Sequence, residues 1–164
     1  MTVAELPAPI EPYAWLIGTW RGDGVGGYPT LDADFAYTEE LTFGCPEKPL
    51  LTFASRSWST DDGRPLALQS GFLRPVSDTD VEMVVAVAAG LVEIFYGSLV
   101  TGPSGVHLEL ETDLVARTSS AKDVTRERRM YAVRGGRLMY AADMAAAGET
   151  ELRPHLSAAL DRVD

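Results

Sequence analysis

The chain has 164 residues, with 24 acidic against 14 basic side chains and a formal net charge of −10; such a balance repels phosphate backbones and anionic lipid and argues against nucleic-acid and membrane-surface partners. A single cysteine, Cys45, excludes an internal disulfide framework and a Cys-x-x-Cys site, and no run approaches the roughly 20 apolar residues of a membrane-spanning helix. The opening Met1 to Pro7 lacks the basic and apolar parts of a leader, so the expectation is one cytoplasmic domain over residues 1–164.

Residues 9–16 have room for one short helix, leaving Trp15, Leu16 and Ile17 to plug one end of whatever follows. From Gly18 to Met144 the chain then alternates short β-rich runs with turn residues, predicting strands over 17–27, 34–44, 50–59, 65–75, 80–88, 91–100, 105–115, 123–133 and 137–146. Asp61-Asp62-Gly63, Gly102-Pro103-Ser104-Gly105 and Gly135-Gly136 are the hairpin connectors. No helix-length pattern separates the strands, so the fold class is all-β: an antiparallel up-and-down barrel of about ten strands with short flanking helices, closed because closure removes the edges.

In the first strand Gly18, Trp20, Gly22, Gly24, Gly26, Tyr28 and Thr30 share one parity, which gives a face nearly free of side chains. That face suits either a flat ligand lying on it or a tight barrel corner without one. Cys45 falls in a loop set by Gly44, Pro46 and Pro49, with no basic partner nearby to activate it.

The last segment has two readings. Leu152, His155, Leu156, Ala159, Leu160 and Val163 follow the spacing of an amphipathic helix, which is preferred and which would be dispensable to the barrel. A tenth strand is the competing reading, and it puts His155 on the face opposite Pro154 and Leu156.

Parity also sorts the chemistry. His107 shares its face with Glu109 and Glu111 and belongs outside, whereas His155 lies on the apolar stripe and points inward. On the strand through Thr125, Arg126, Arg128 and Met130 alternate with Glu127, Arg129 and Tyr131, which leaves two readings: inward arginines could grip a ligand carboxylate, and outward ones are solvated or paired with surface acids. Glu39-Glu40 and Asp61-Asp62 are taken as a strand edge and a turn. Two histidines assemble no Ser-His-Asp arrangement, and no phosphate-binding loop is present.

Gly18-x-Trp20-x-Gly22-x-Gly24 followed by Tyr28-Pro29-Thr30, the block Pro65 to Pro75, Gly90 to Glu93, Thr125 to Glu127, and Pro154-His155-Leu156 together resemble, in order and spacing, the nitrobindin family of haem-binding β-barrels. The resemblance implies a fold like that of fatty-acid-binding proteins and lipocalins, and one haem b per chain. It also implies His155 as the proximal iron ligand, Thr30 and Met144 as haem contacts, and Leu66 and Ala67 as the distal wall. Ala67 stands where some relatives have a histidine, so the resemblance leaves the distal side without that donor. The implied activity is isomerisation of peroxynitrite to nitrate at ferric haem, with nitric oxide as a second ligand and a homodimer as one state of association. The alternative is a non-catalytic carrier of a fatty acid or another hydrophobic carboxylate, anchored by the inward arginines.

Overall fold

The computed structural model describes residues 5–164; the first four residues of the segment read for a leader lie outside the described residues. Ten strands follow a short 3₁₀ helix, Ala8–Leu16: β1 (Gly18–Gly26), β2 (Phe35–Gly44), β3 (Leu51–Ser59), β4 (Pro65–Pro75), β5 (Asp80–Val87), β6 (Leu91–Gly102), β7 (Gly105–Arg117), β8 (Val124–Arg134), β9 (Arg137–Ala146) and β10 (Arg153–Arg162). Every strand pairs antiparallel with its sequence neighbours, and β1 with β10 closes the barrel. The strands read from the sequence are all present within a few residues of their expected bounds. Among the described residues no helix is long and apolar enough to cross a membrane.

The preferred reading of the C-terminal segment is corrected: Arg153–Arg162 is the tenth strand, not a helix. Its partners explain the outcome, because β1 and β9 would each present a row of unpaired backbone groups without it. The consequence for the supposed dispensability of the segment is direct, since removing β10 opens the barrel.

One end of the barrel is plugged. Pro12 lies inside the 3₁₀ helix and deprives it of an N–H donor, which favours a short, tight helix over an α-helix. Ile10, Tyr13 and Leu16 are fully buried there, while Trp15 and Ile17 pack alongside only partly buried. Tyr13 donates to Ser77 O (2.9 Å) in the β4–β5 turn, and Trp20 Nε1 donates to Leu16 O (3.0 Å). Above the plug the alternate side chains of β2 and β3, among them Leu41, Phe43, Leu51 and Phe53, fill the interior with those of β5 to β10.

The glycine face of β1 is not a bare floor. Gly24 pairs with Tyr37 and Gly26 with Phe35 on β2, and a Cβ on Gly24 would come within 2.5 Å of the Tyr37 ring while one on Gly26 would strike the Phe35 ring. The missing side chains therefore let two aromatic rings lie across the strand, and those rings in turn face the cavity. Thr30 does not continue the face, since β1 ends at Gly26 and Thr30 sits exposed in a turn.

Candidate active site

The end opposite the plug leads into a cavity of about 480 Å³, within the roughly 300–1,000 Å³ typical of cofactor and small-molecule sites. Leu31, Phe35, Leu66, Ala67, Leu156 and His155 line its outer part together with Arg64 and Lys122; Tyr37, Glu39, Ser55, Gln69, Glu127, Arg129 and Tyr140 line its deeper part.

His155 reaches the cavity through a β-bulge. The register of β10 on β9 slips between Pro154, opposite Asp143, and Leu156, opposite Ala142, which leaves His155 without a partner on that side. A bulge re-aims the side chain it adds, so His155 and Leu156 both turn to the cavity despite being adjacent. Pro154 is compatible with this position because a strand proline is tolerated where no ladder N–H is required. On the other side the strand stays paired: Gly27 N–H donates to His155 O (2.8 Å), and His155 Nδ1 lies 3.0 Å from Gly27 O. A carbonyl only accepts, so Nδ1 carries the hydrogen and Nε2 keeps its lone pair. Tyr28 stands edge-on to the imidazole at 5.9 Å and Phe35 at 6.5 Å between ring centroids. The Tyr28 hydroxyl accepts from Ala146 N–H (2.7 Å) and donates to Met144 O (3.1 Å), tying the ring to the end of β9.

A second bulge shapes another wall. Ser57 on β3 faces Ala67, but Trp58 faces Pro65, so Leu66 is the extra residue on β4 and both Leu66 and Ala67 border the cavity. In the closed order β4 is four strands from β10, close to the far side of a ten-strand ring.

The deeper part is polar. Both carboxylate oxygens of Glu39 accept hydroxyl hydrogens, one from Ser55 and one from Tyr140, and Tyr37 and Tyr140 share a hydrogen bond of 2.6 Å between their hydroxyls. Burial raises the Glu39 carboxyl above the usual range against the pull of those hydroxyls. Beside it, Arg129 donates from Nε to Glu127 (2.9 Å) and from Nη2 to Gln69 (2.8 Å) and Glu93 (3.4 Å), and its guanidinium lies 4.9 Å over the Phe95 ring. Burial and the hydrogen-bonded Glu127 push the Glu93 carboxyl up to about 9. Burial works the same way on Glu127, but the Arg129 charge and the hydrogen bond with Glu93 outweigh it and hold Glu127 below its ordinary value. Glu93 Oε2 is buried without a hydrogen-bond partner, which accords with a carboxyl raised by burial.

The structure brings together His155, Leu66 and Ala67 around one cavity, while Thr30 stands exposed in the turn just before Leu31 and Met144 packs in a small second core with Tyr28, Leu91, Val124 and Ala146. Gly18, Trp20, Gly22 and Gly24 belong to β1, where Trp20 is core and Gly24 admits Tyr37. His107 sits on the outer face with Glu109 (2.9 Å). Arg126 and Arg128 point outward to Glu111 and Asp143, each at 2.6 Å. Glu39, read as a strand edge, is corrected: it is mid-strand and buried inside the barrel. Gln69 and Glu93 fall within the blocks that carry the resemblance but have no role assigned from the sequence, and Arg64 and Lys122 are not among its candidates. The parity of Tyr37, Glu39, Leu41 and Phe43 is the signal that places Glu39 inward.

Comparison with known proteins places these features in a family. Residues 9–162 match the model of the THAP4-like, heme-binding beta-barrel domain. A peroxynitrite isomerase of Nocardioides sp. is 42% identical over 166 residues, covering 96% of this chain and 98% of the relative. One of Frankia casuarinae is 40% identical over 174 residues, covering 99% and 89% respectively. The crystal structure of Rv2717c from M. tuberculosis superposes with a TM-score of 0.90 at 34% identity, over 98% of this chain and all of that one.

Proposed function

Because the chain belongs to the family of THAP4-like, heme-binding β-barrel domains, we propose that it holds one haem b per chain through His155 Nε2 and acts as a peroxynitrite isomerase. The observation that carries this reading is the His155–Gly27 clasp, which turns the imidazole into the cavity and reserves its free lone pair for a metal. Haem, when bound, supplies a ferric centre that acts as a Lewis acid toward peroxynitrite and lets it reorganise to nitrate, and an iron centre that takes nitric oxide.

The protein's share is positional. Tyr28, Phe35 and the bulge fix the imidazole plane, and Leu66 and Ala67 supply an apolar wall with no hydrogen-bond donor in their side chains. Lys122 and Arg64 bring positive charge to the outer cavity, where haem propionates would meet solvent. Thr30, next to Leu31 on the rim, is proposed to touch the haem edge. Met144 supports Tyr28 through its carbonyl and so acts on the haem side through His155. All these residues lie within residues 9–162, the span matched by the family, which accords with one domain that holds its own haem. The unpaired thiol of Cys45 accords with a reducing, cytoplasmic setting.

The fatty-acid alternative loses the anchor it was given, the arginines of β8. The arginines that face out are engaged with Glu111 and Asp143, and the one that faces in, Arg129, is held by two glutamates and a glutamine.

Haem titration with His155→Ala and His107→Ala separately tests the ligand assignment. The Soret band should be weakened or lost only in His155→Ala; loss in His107→Ala with retention in His155→Ala overturns it. Stopped-flow decay of peroxynitrite should accelerate in proportion to ferric haem content, and no acceleration would leave a haem binder without this activity.

A further inference from the structure

At the deep end of the cavity the guanidinium of Arg129 meets two carboxyl groups, Glu127 at 2.9 Å and Glu93 at 3.4 Å, and Glu39 lines the same space. The Arg129 and Glu93 side chains are 5% and 1% exposed and Glu127 13%, so water does little to screen them. The fork of Arg129 is spent on Glu127, Gln69 and Glu93, and its face is covered by Phe95 and Phe53. The charge of Arg129 is already balanced by Glu127 at 2.9 Å, and a second buried carboxyl, Glu93, stands 3.4 Å from its Nη2. A ligand carboxylate entering this space would meet no unpaired cation and would be buried beside existing negative charge, the costly case for any ion in a protein interior. Ser55, Tyr37 and Tyr140 spend their hydrogens on Glu39 and on one another but keep acceptor lone pairs, and Gln69 keeps its N–H₂, which together suit a neutral hydroxyl head group.

We propose that the Glu93–Arg129–Glu127 cluster is a specificity device that shuts carboxylates out of the barrel interior and leaves that space to neutral amphiphiles, so that an acid-bearing ligand such as haem must keep its carboxylates at the mouth. The inference goes beyond iron ligation and is read on the haem-free protein. It makes this barrel the inverse of one built to carry fatty acids: the inward arginine is present, but its charge is cancelled from within.

The test is displacement of a neutral fluorescent probe, N-phenyl-1-naphthylamine, from the haem-free full chain by 1-dodecanol and by dodecanoate at pH 8. Dodecanol should displace the probe at a concentration at least ten-fold lower than dodecanoate. Glu127→Gln removes the charge that balances Arg129 and should shift the acid-to-alcohol ratio at least ten-fold toward the acid. Glu93→Gln replaces a neutral carboxyl by a neutral amide and should leave the ratio near that of the wild type. Adding Arg129→Leu to Glu127→Gln should cancel the gain. A chain that takes dodecanoate as well as dodecanol even when Arg64→Gln and Lys122→Gln have removed the cations at the mouth, a folded Glu127→Gln with the wild-type ratio, or failure of either amphiphile to displace the probe overturns the proposal. Should Glu127→Gln not fold by circular dichroism, the ratio without the mouth cations decides alone. His155→Ala should keep the wild-type ratio, so a failure of haem ligation and a failure of this device are read separately.

Discussion

Replacing Glu93 by glutamine should change how stability depends on pH more than it changes stability itself. Burial and Glu127 push the Glu93 carboxyl up to about 9 from an ordinary value of 4.5, so between these values the folded state holds a proton that the unfolded state releases. A group with a raised folded-state pKa gives its full contribution below the unfolded value and loses it as pH rises through the folded one; each unit costs about 1.4 kcal/mol. From pH 5 to pH 8 the wild type should therefore forfeit about 4 kcal/mol through Glu93, a large part of the roughly 5–15 kcal/mol that holds a domain together. Glutamine reproduces the neutral carboxyl: its oxygen can accept from Arg129 Nη2 and its N–H₂ can donate to Glu127. The variant should match the wild type near pH 5 and exceed it in denaturant midpoint by a growing margin toward pH 8, with unchanged m-value. Parallel stability curves for the two proteins over pH 5 to 8 would refute a proton held between Glu93 and Glu127.

Tyr28→Phe leaves the buried Ala146 N–H without its acceptor and should cost about 1–3 kcal/mol in chemical denaturation, with weaker haem uptake because the imidazole loses its brace; an unchanged midpoint would speak against this tether. Gly26→Ala drives a methyl into the Phe35 ring, for which overpacking predicts a loss of about 1–3 kcal/mol, whereas the same change at Gly102, where nothing lies within 4 Å, should be far milder. Deleting residues 153–164 takes away the strand between β1 and β9 and should abolish the cooperative unfolding transition and give aggregates on size exclusion; a folded monomer would show that the barrel closes without β10.

Much of the barrel is legible because its punctuation is local. Asp61-Asp62-Gly63 and Gly135-Gly136 announce turns by composition, and the alternation of Val81, Met83 and Val85 or of Leu138 and Tyr140 marks the buried face without any partner being known. The last strand misleads for a physical reason. A bulge adds one residue, shifts the inward parity from Leu156 to His155, and so produces in an extended chain the i, i+1 pairing of apolar positions that a helix also produces. The polar interior is hidden for a different reason: charged side chains are outward by default, and these stay inside only through distant partners, Glu93 and Glu127 on Arg129 and Glu39 on the hydroxyls of Ser55 and Tyr140. Their parity with buried neighbours was readable, but their pairing was not.

The site depends on the seam that closes the barrel. Gly27 and His155 meet across β1 and β10, 128 residues apart, and exchange a backbone hydrogen bond and a side-chain one. Further along the same seam Arg162 stacks on Trp20 at 4.2 Å and donates to Ile17 O (2.6 Å), while Asp164 accepts from Thr19 N–H (3.0 Å). The glycine-rich first strand and the Pro-His-Leu segment are thus two sides of one structural element. Gly27 has its own reason to lack a side chain, because a Cβ there would run into Asp34. Ring closure must precede a competent imidazole, since neither strand alone orients His155. Anything that binds His155 in the closed barrel and not in the open chain adds its binding free energy to the seam. The ligand site and the closure of the barrel are for that reason the same piece of geometry, and a cofactor gripped there would raise stability most where the barrel is joined.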